Sequence, residues 1–174
     1  MKLLNDTRCR TAGYSLCECM IVCALLLFVT VLALSQISFV QNMLVRSQLY
    51  ALYDAIQMAQ QRAMSTNTKQ TIIIDPDNNR YFVDGAVYTL SPYIRFGVVD
   101  GAMGPPALPT HPIVDVCTFS DKTISCWPDG IIQAGVVYLV DHNKRYGYAL
   151  SNAVGSASYV RIYRYEQHEW HIIV

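Results

Sequence analysis

Hydrophobic and polar positions divide the chain into three patterns. From Cys19 to Leu34 every residue is apolar except Thr30, and Val40 extends the run with Ser35, Gln36 and Ser38 interspersed. About 20 apolar residues cross a hydrocarbon core as a helix, and this run reaches that length once its frayed end is counted. Next, Val45, Leu49, Leu52, Ile56, Ala59 and Ala63 recur at spacings of three and four, which predicts one apolar stripe on an amphipathic helix. Arg46, Gln48, Asp54, Gln57, Gln60 and Gln61 fall mostly off it, and no proline interrupts 14–64. The two patterns together predict one long helix of about 50 residues, roughly 75 Å at 1.5 Å per residue.

From Lys69 onward the pattern shortens to runs typical of strands. "QTIIID", the turn "PDNN" and "RYFVDG" predict a hairpin. "AVYTL", "YIRFGVV", "VDVCTFS", "KTISCW", "GVVYLV", "YGYALS", "SYVRIYRY" and "EWHIIV" predict further strands. "GAMGPPALPTHP" holds four of the seven prolines and predicts a loop. Eight or nine short strands predict a β-sandwich or strongly curved sheets. The expected fold is α+β: a long N-terminal helix, transmembrane in its first half and amphipathic in its second, packed on an antiparallel β-sandwich-like domain. The expected divisions by pattern are a transmembrane helix ending at 40, an amphipathic half at 41–66 and a β-rich domain at 67–174.

Charge sharpens the N-terminal reading. The chain has 13 basic and 13 acidic residues among 174, with no basic excess to announce a nucleic-acid partner. Lys2, Arg8 and Arg10 precede the apolar run, and a basic flank predicts a cytoplasmic N-terminus. A secretory signal peptide wants a shorter apolar region and a small-residue cleavage site after it, whereas a plain anchor leaves Glu18 unexplained.

The stretch "GYSLCECMIV" resembles the cleavage and methylation motif of type IV pilins and type II secretion pseudopilins. Gly13, Tyr14, Ser15, Leu16 and Glu18 match in order. The resemblance implies that a prepilin peptidase cuts between Gly13 and Tyr14, dividing a leader at 1–13 from a transmembrane helix at 14–40, and that the new amine on Tyr14 is N-methylated. It implies that Glu18 forms an assembly salt bridge with the Tyr14 amine of a neighbouring subunit, since an unpaired buried carboxylate is costly. Losing Lys2, Arg8, Arg10 and Asp6 with the leader would leave a net charge of −2. The match departs from the family at Cys17 and Cys19, which replace aliphatic residues, and at Ser35, where many major pilins have a kinking proline.

Downstream, "ISCWPDGIIQAGVVYLVD" is similar to a pattern of the GspH/FimT pseudopilin domain. Trp127 to Gly130 fit its turn, Gly135 and Leu139 fit its next strand, and Cys126 replaces the usual aromatic. "AQQRAM" resembles that family's helix end. The implied function is a minor pseudopilin of a type II secretion pseudopilus or its tip. The alternative is a FimT-like type IV pilus minor pilin that binds DNA. The implied partners are other pilins or pseudopilins, prepilin peptidase and inner-membrane lipid. The implied location is the bacterial inner membrane, single-pass, with the C-terminal domain periplasmic, and then the filament.

The remaining candidate chemistry is sparse. Four of the six cysteines lie in 9–23 and two in 117–126. A two-residue turn at Asp121–Lys122 would bring Cys117 opposite Cys126, at a spacing that fits a disulfide. The alternatives are two free thiols on adjacent strands or a longer loop that breaks the register. Cys19 and Cys23 lie one helical turn apart, but as small hydrophobes rather than a zinc set. In "EQHEWH", His168 and His171 would face opposite sides of a strand, so no metal is expected. No phosphate loop, Gly-x-Ser-x-Gly elbow or HExxH motif is present, and neither an enzyme nor a cofactor is expected. Arg161, Arg164 and Tyr163 are the candidate DNA contacts. Tyr159, Arg161, Tyr163 and Tyr165 share a strand face that could stack on bases, and cross-strand aromatic packing is the competing reading.

Overall fold

A computed structural model describes residues 15–104, 106, 110–152 and 159–173, leaving aside the side chains of 33–41. The chain divides into two compact units, Met1–Phe39 and Val40–Val174. Helical backbone, α1, covers Leu16–Thr66, and the division between the units falls inside it. Its described side chains are those of 16–32 in the first unit and of 42–66 in the second.

This corrects two expectations. No helix among the described residues is long and apolar enough to cross a membrane. The structure is therefore not a long, half-transmembrane helix packed on a sheet, and the single-pass inner-membrane location loses the span it rested on.

In the second unit the stripe of 42–66 is buried. Val45, Leu49, Leu52, Ile56 and Ala63 are fully covered and Ala59 nearly so, in one core with residues of both sheets. The first sheet joins β1 (Gln70–Asp75), β2 (Arg80–Val83), β3 (Ala86–Thr89) and β5 (Thr123–Cys126) in the order β3-β2-β1-β5. The second joins β4 (Ile94–Phe96), β6 (Gly135–Asp141), β7 (Gly147–Asn152), β8 (Arg161–Glu166) and β9 (Glu169–Ile172) in the order β4-β6-β7-β8-β9. All pairings between these strands are antiparallel.

Local chemistry explains the turns. Asp75 accepts hydrogen bonds from the Asn78 amide and side chain and from Arg80 Nε, closing the β1–β2 turn. These contacts, Asn78 first, hold its carboxyl below the usual range. Asp84 and Gly85 join β2 to β3 with φ of 50° and 81°, the left-handed pair a tight hairpin demands. Between β6 and β7, buried Asp141 accepts from the backbone amides of Asn143, Arg145 and Tyr146. Gln167 and His168 also have positive φ and turn β8 into β9. The segment "EQHEWH" is thus a hairpin turn and the start of an edge strand.

The alternation along β1 follows its two environments. Ile72 and Ile74 are buried, whereas Ile73 is 48% exposed on the outer face. Strands β6 and β7 are buried along nearly their whole length because both of their faces are covered. On one face Val137, Leu139, Tyr148 and Leu150 join the main core. On the other, Val136, Tyr138, Ala149 and Tyr163 lie beneath Val98, Ile113, Val116 and Trp170. The segment between β4 and β5 therefore straps the outer face of the second sheet. Trp170 Nε1 donates to the Met103 carbonyl at 2.6 Å and fastens the strap to β9.

Candidate functional site

The resemblance concentrates on the start of α1. Gly13 and Tyr14, the expected cleavage and methylation positions, lie outside the described residues. Ser15 and Glu18 are described. Glu18 Oε2 accepts the Ser15 backbone N–H at 2.8 Å, and Ser15 Oγ accepts the Cys17 N–H at 3.3 Å. This is a capping box: a serine at the helix start and a glutamate three residues on satisfy otherwise orphaned amides. The spacing Ser15-x-x-Glu18 carried that signal, and the sequence reading passed over it. Glu18 thus has a local partner within its own chain. Its carboxylate also complements the positive end of the helix.

Apart from its capping residues the stretch 16–32 is mostly apolar and uncovered. Leu16, Met20, Ile21, Val22, Leu25, Leu26, Leu27, Phe28, Val29, Val31 and Leu32 are each more than half exposed. Cys17, Cys19 and Cys23 are exposed and free.

The downstream motif is a turn seated on the second helical stretch. The Gly130 amide donates to the Trp127 carbonyl at 3.0 Å, with proline second and glycine fourth, the preferences of a type I turn. Gly130 has φ of 81°. Buried Gln60 donates through Nε2 to the Gly130 carbonyl at 2.7 Å. A Cβ on Gly130 would lie 3.1 Å from Met64 Sδ. Gly135 lies under the Phe119 ring, where a Cβ would come within 2.4–2.8 Å of three ring carbons.

The expected disulfide is corrected. Cys117 and Cys126 are both free and buried. Cys117 bridges Val137 beside β6, whereas Cys126 pairs with Gln70 of β1. Instead of forming a hairpin, the chain crosses from one sheet to the other through a 3₁₀ turn, Ser120–Lys122. Asp121 and Lys122 there have φ of 55° and 54°. Burial raises both thiol pKa values, that of Cys126 to about 11.

Of the candidate DNA contacts, Arg161 is brought against Tyr163, whose side chain accepts a hydrogen bond from its guanidinium and so raises its pKa, but the three do not form an open stacking strip. Tyr163 is buried against Val136, Tyr138 and Ala149. Arg161 lies over the Tyr159 ring at 5.0 Å and donates to its hydroxyl. Arg164 pairs with Glu166. Among the described residues no group of three or more His, Cys, Asp or Glu side chains is placed to hold a metal. No known protein family matches the chain, and no curated protein or solved structure is similar to it.

Proposed function

We propose that the chain is an assembly subunit of the pilin superfamily, a minor pseudopilin or pilin of the GspH/FimT type. In this reading the peptidase removes 1–13, Tyr14 is N-methylated, and the stretch that follows packs among the same stretches of other copies. The observation that carries it is the uncovered apolar surface of 16–32. Fully burying one large aliphatic or aromatic side chain is worth about 1.5–3 kcal/mol. Covering eleven that are 51–81% exposed is worth on the order of 10 kcal/mol per copy, before the costs of association. The capping box adds support. It fixes the start of the helix at the edge of the expected cleavage site, so removal of the leader leaves the helix whole. Only Oε2 of Glu18 is engaged among the described residues, which leaves Oε1 for an ammonium group from another copy.

The test is mass spectrometry of the mature N-terminus after co-expression with a prepilin peptidase. The expected product begins at an N-methylated Tyr14. A chain that still begins at Met1 defeats the reading.

A further inference from the structure

At one end of the second sheet the β6–β7 and β8–β9 turns lie side by side. The open cleft there, of about 450 Å³, is lined by Val99, Arg145, Tyr146, Arg164, Tyr165, Glu166, Gln167 and His168. This volume lies within the range of small-ligand sites. Asp141 holds the backbone of Arg145 and Tyr146 through one carboxylate oxygen, at 2.6 and 2.8 Å, so this wall is built on a fixed turn. Gly147 lies below it, where a Cβ would come within 2.5 Å of Val99 Cγ2. That close approach brings Val99 against the sheet.

The charges in and beside the cleft are unequally committed. Lys144 is paired with Asp100, and Arg164 with Glu166. The Arg145 side chain makes no hydrogen bond or ion pair among the described residues and is exposed. The cleft thus presents one uncommitted cation, a second guanidinium held in place by a carboxylate, and the half-buried ring of Tyr146, while Val99 and Tyr165 close it from the opposite face of the sheet, beside Gly147 and Trp170. A guanidinium favours planar, bidentate anions. A dianionic phosphate or a polyanion would meet Glu166 with only one unpaired fixed positive charge to offset it, whereas a single carboxylate matches that balance.

We propose that this cleft binds one carboxylate carried beside an apolar or aromatic group, with Arg145 as its main anchor and Arg164 beside it. The same chemistry is offered by a free aryl carboxylic acid and by the carboxyl end of a peptide. The inference does not depend on the assembly reading.

The experiment is a titration of the full-length chain, kept in mild detergent and followed by NMR at the Arg Nε–H and His168 ring signals. The probes are benzoate, N-acetylphenylalanine, N-acetylphenylalanine amide, inorganic phosphate and a single-stranded oligonucleotide. Benzoate or N-acetylphenylalanine is expected to shift the Arg145, Arg164 and His168 signals, and the amide is not. A preference for benzoate points to a free acid, and a preference for N-acetylphenylalanine to a chain end. Arg145→Gln, which removes no internal contact, is expected to weaken binding about tenfold, the order of one charge-assisted hydrogen bond. Arg145→Lys should restore part of it. The proposal is overturned if neither carboxylate shifts these signals or if the amide binds as well as the acid. Tighter binding of phosphate or the oligonucleotide at the same signals, or unchanged affinity in a folded Arg145→Gln chain, also overturns it.

Discussion

Gly135→Ala tests the close approach on which the crossing between the sheets is built. Gly135 is not among the positive-φ residues, so alanine there meets no backbone strain. With free space around it, the substitution would stabilise by about 0.4–1 kcal/mol, because it restricts the unfolded chain. The new methyl instead would come within 2.4–2.8 Å of three carbons of the Phe119 ring. That ring is 3% exposed, and it immediately precedes the 3₁₀ turn that carries the chain to the other sheet. Overpacking of this kind costs about 1–3 kcal/mol, so the sign of the effect reverses. Denaturant unfolding of the full chain should show a lower midpoint at unchanged slope, with a loss of about 2 kcal/mol. Phe119→Leu in the same chain should recover part of that loss, giving a coupling of about 1 kcal/mol between the two sites. An unchanged or raised midpoint in Gly135→Ala would refute the packing of Phe119 on this glycine.

Leu52→Ala should cost about 2–5 kcal/mol in the same assay, because Leu52 is fully buried in the core; Met58→Ala, at a residue 55% exposed, should stay within about 0.5 kcal/mol. In the native chain a thiol reagent should modify Cys17, Cys19 and Cys23 quickly and Cys117 and Cys126 only on unfolding, as peptide mapping would show. The Cys126 thiol ordinarily titrates near 9 and is pushed up to about 11 by burial. The unfolded chain therefore releases that proton first, and stability should fall as pH rises from about 9 to about 11, by on the order of 2 kcal/mol. Cys126→Ala should have a shallower loss over that window, measured by unfolding at each pH.

What could be read in the sequence depended on whether a feature was local. The stripe Val45–Ala63 was legible because its period is set by the helix itself, and all six of its residues are buried. The first hairpin was legible because turn residues announced it, at Pro76–Asn79. The crossing at Ser120–Lys122 was not, because a two-residue hairpin and a crossing between sheets use the same polar residues. The difference lies in the distant partners, Gln70 for Cys126 and Val137 for Cys117. The proline-rich segment was legible as a loop but not as a strap, since its hold depends on Trp170, which is 67 residues away from Met103. The Arg/Tyr strip was legible as a shared face but not as a partly covered one. Strand alternation put Tyr163 on a shared face, but that face is the one the strap covers.

Glu18 is where local and collective roles can be separated. Its carboxylate caps the helix through Ser15 N–H, and the proposed assembly reading also asks it to pair with an ammonium group from another copy. Ser15→Ala removes the hydroxyl that accepts the Cys17 amide, at a cost of about 1 kcal/mol, but keeps the charge. Glu18→Gln keeps an oxygen to accept the Ser15 amide and removes the charge. If Glu18 is only a cap, Glu18→Gln should assemble like the parent chain, and Ser15→Ala should be the weaker variant. If it is an assembly partner, Ser15→Ala should assemble nearly normally while Glu18→Gln is cleaved but poorly incorporated. The readout is the fraction of mature subunit recovered in sheared filaments, with amide hydrogen exchange over residues 16–20 as a check on the cap. Normal incorporation of Glu18→Gln would leave Glu18 a capping residue and remove the salt bridge from the assembly reading.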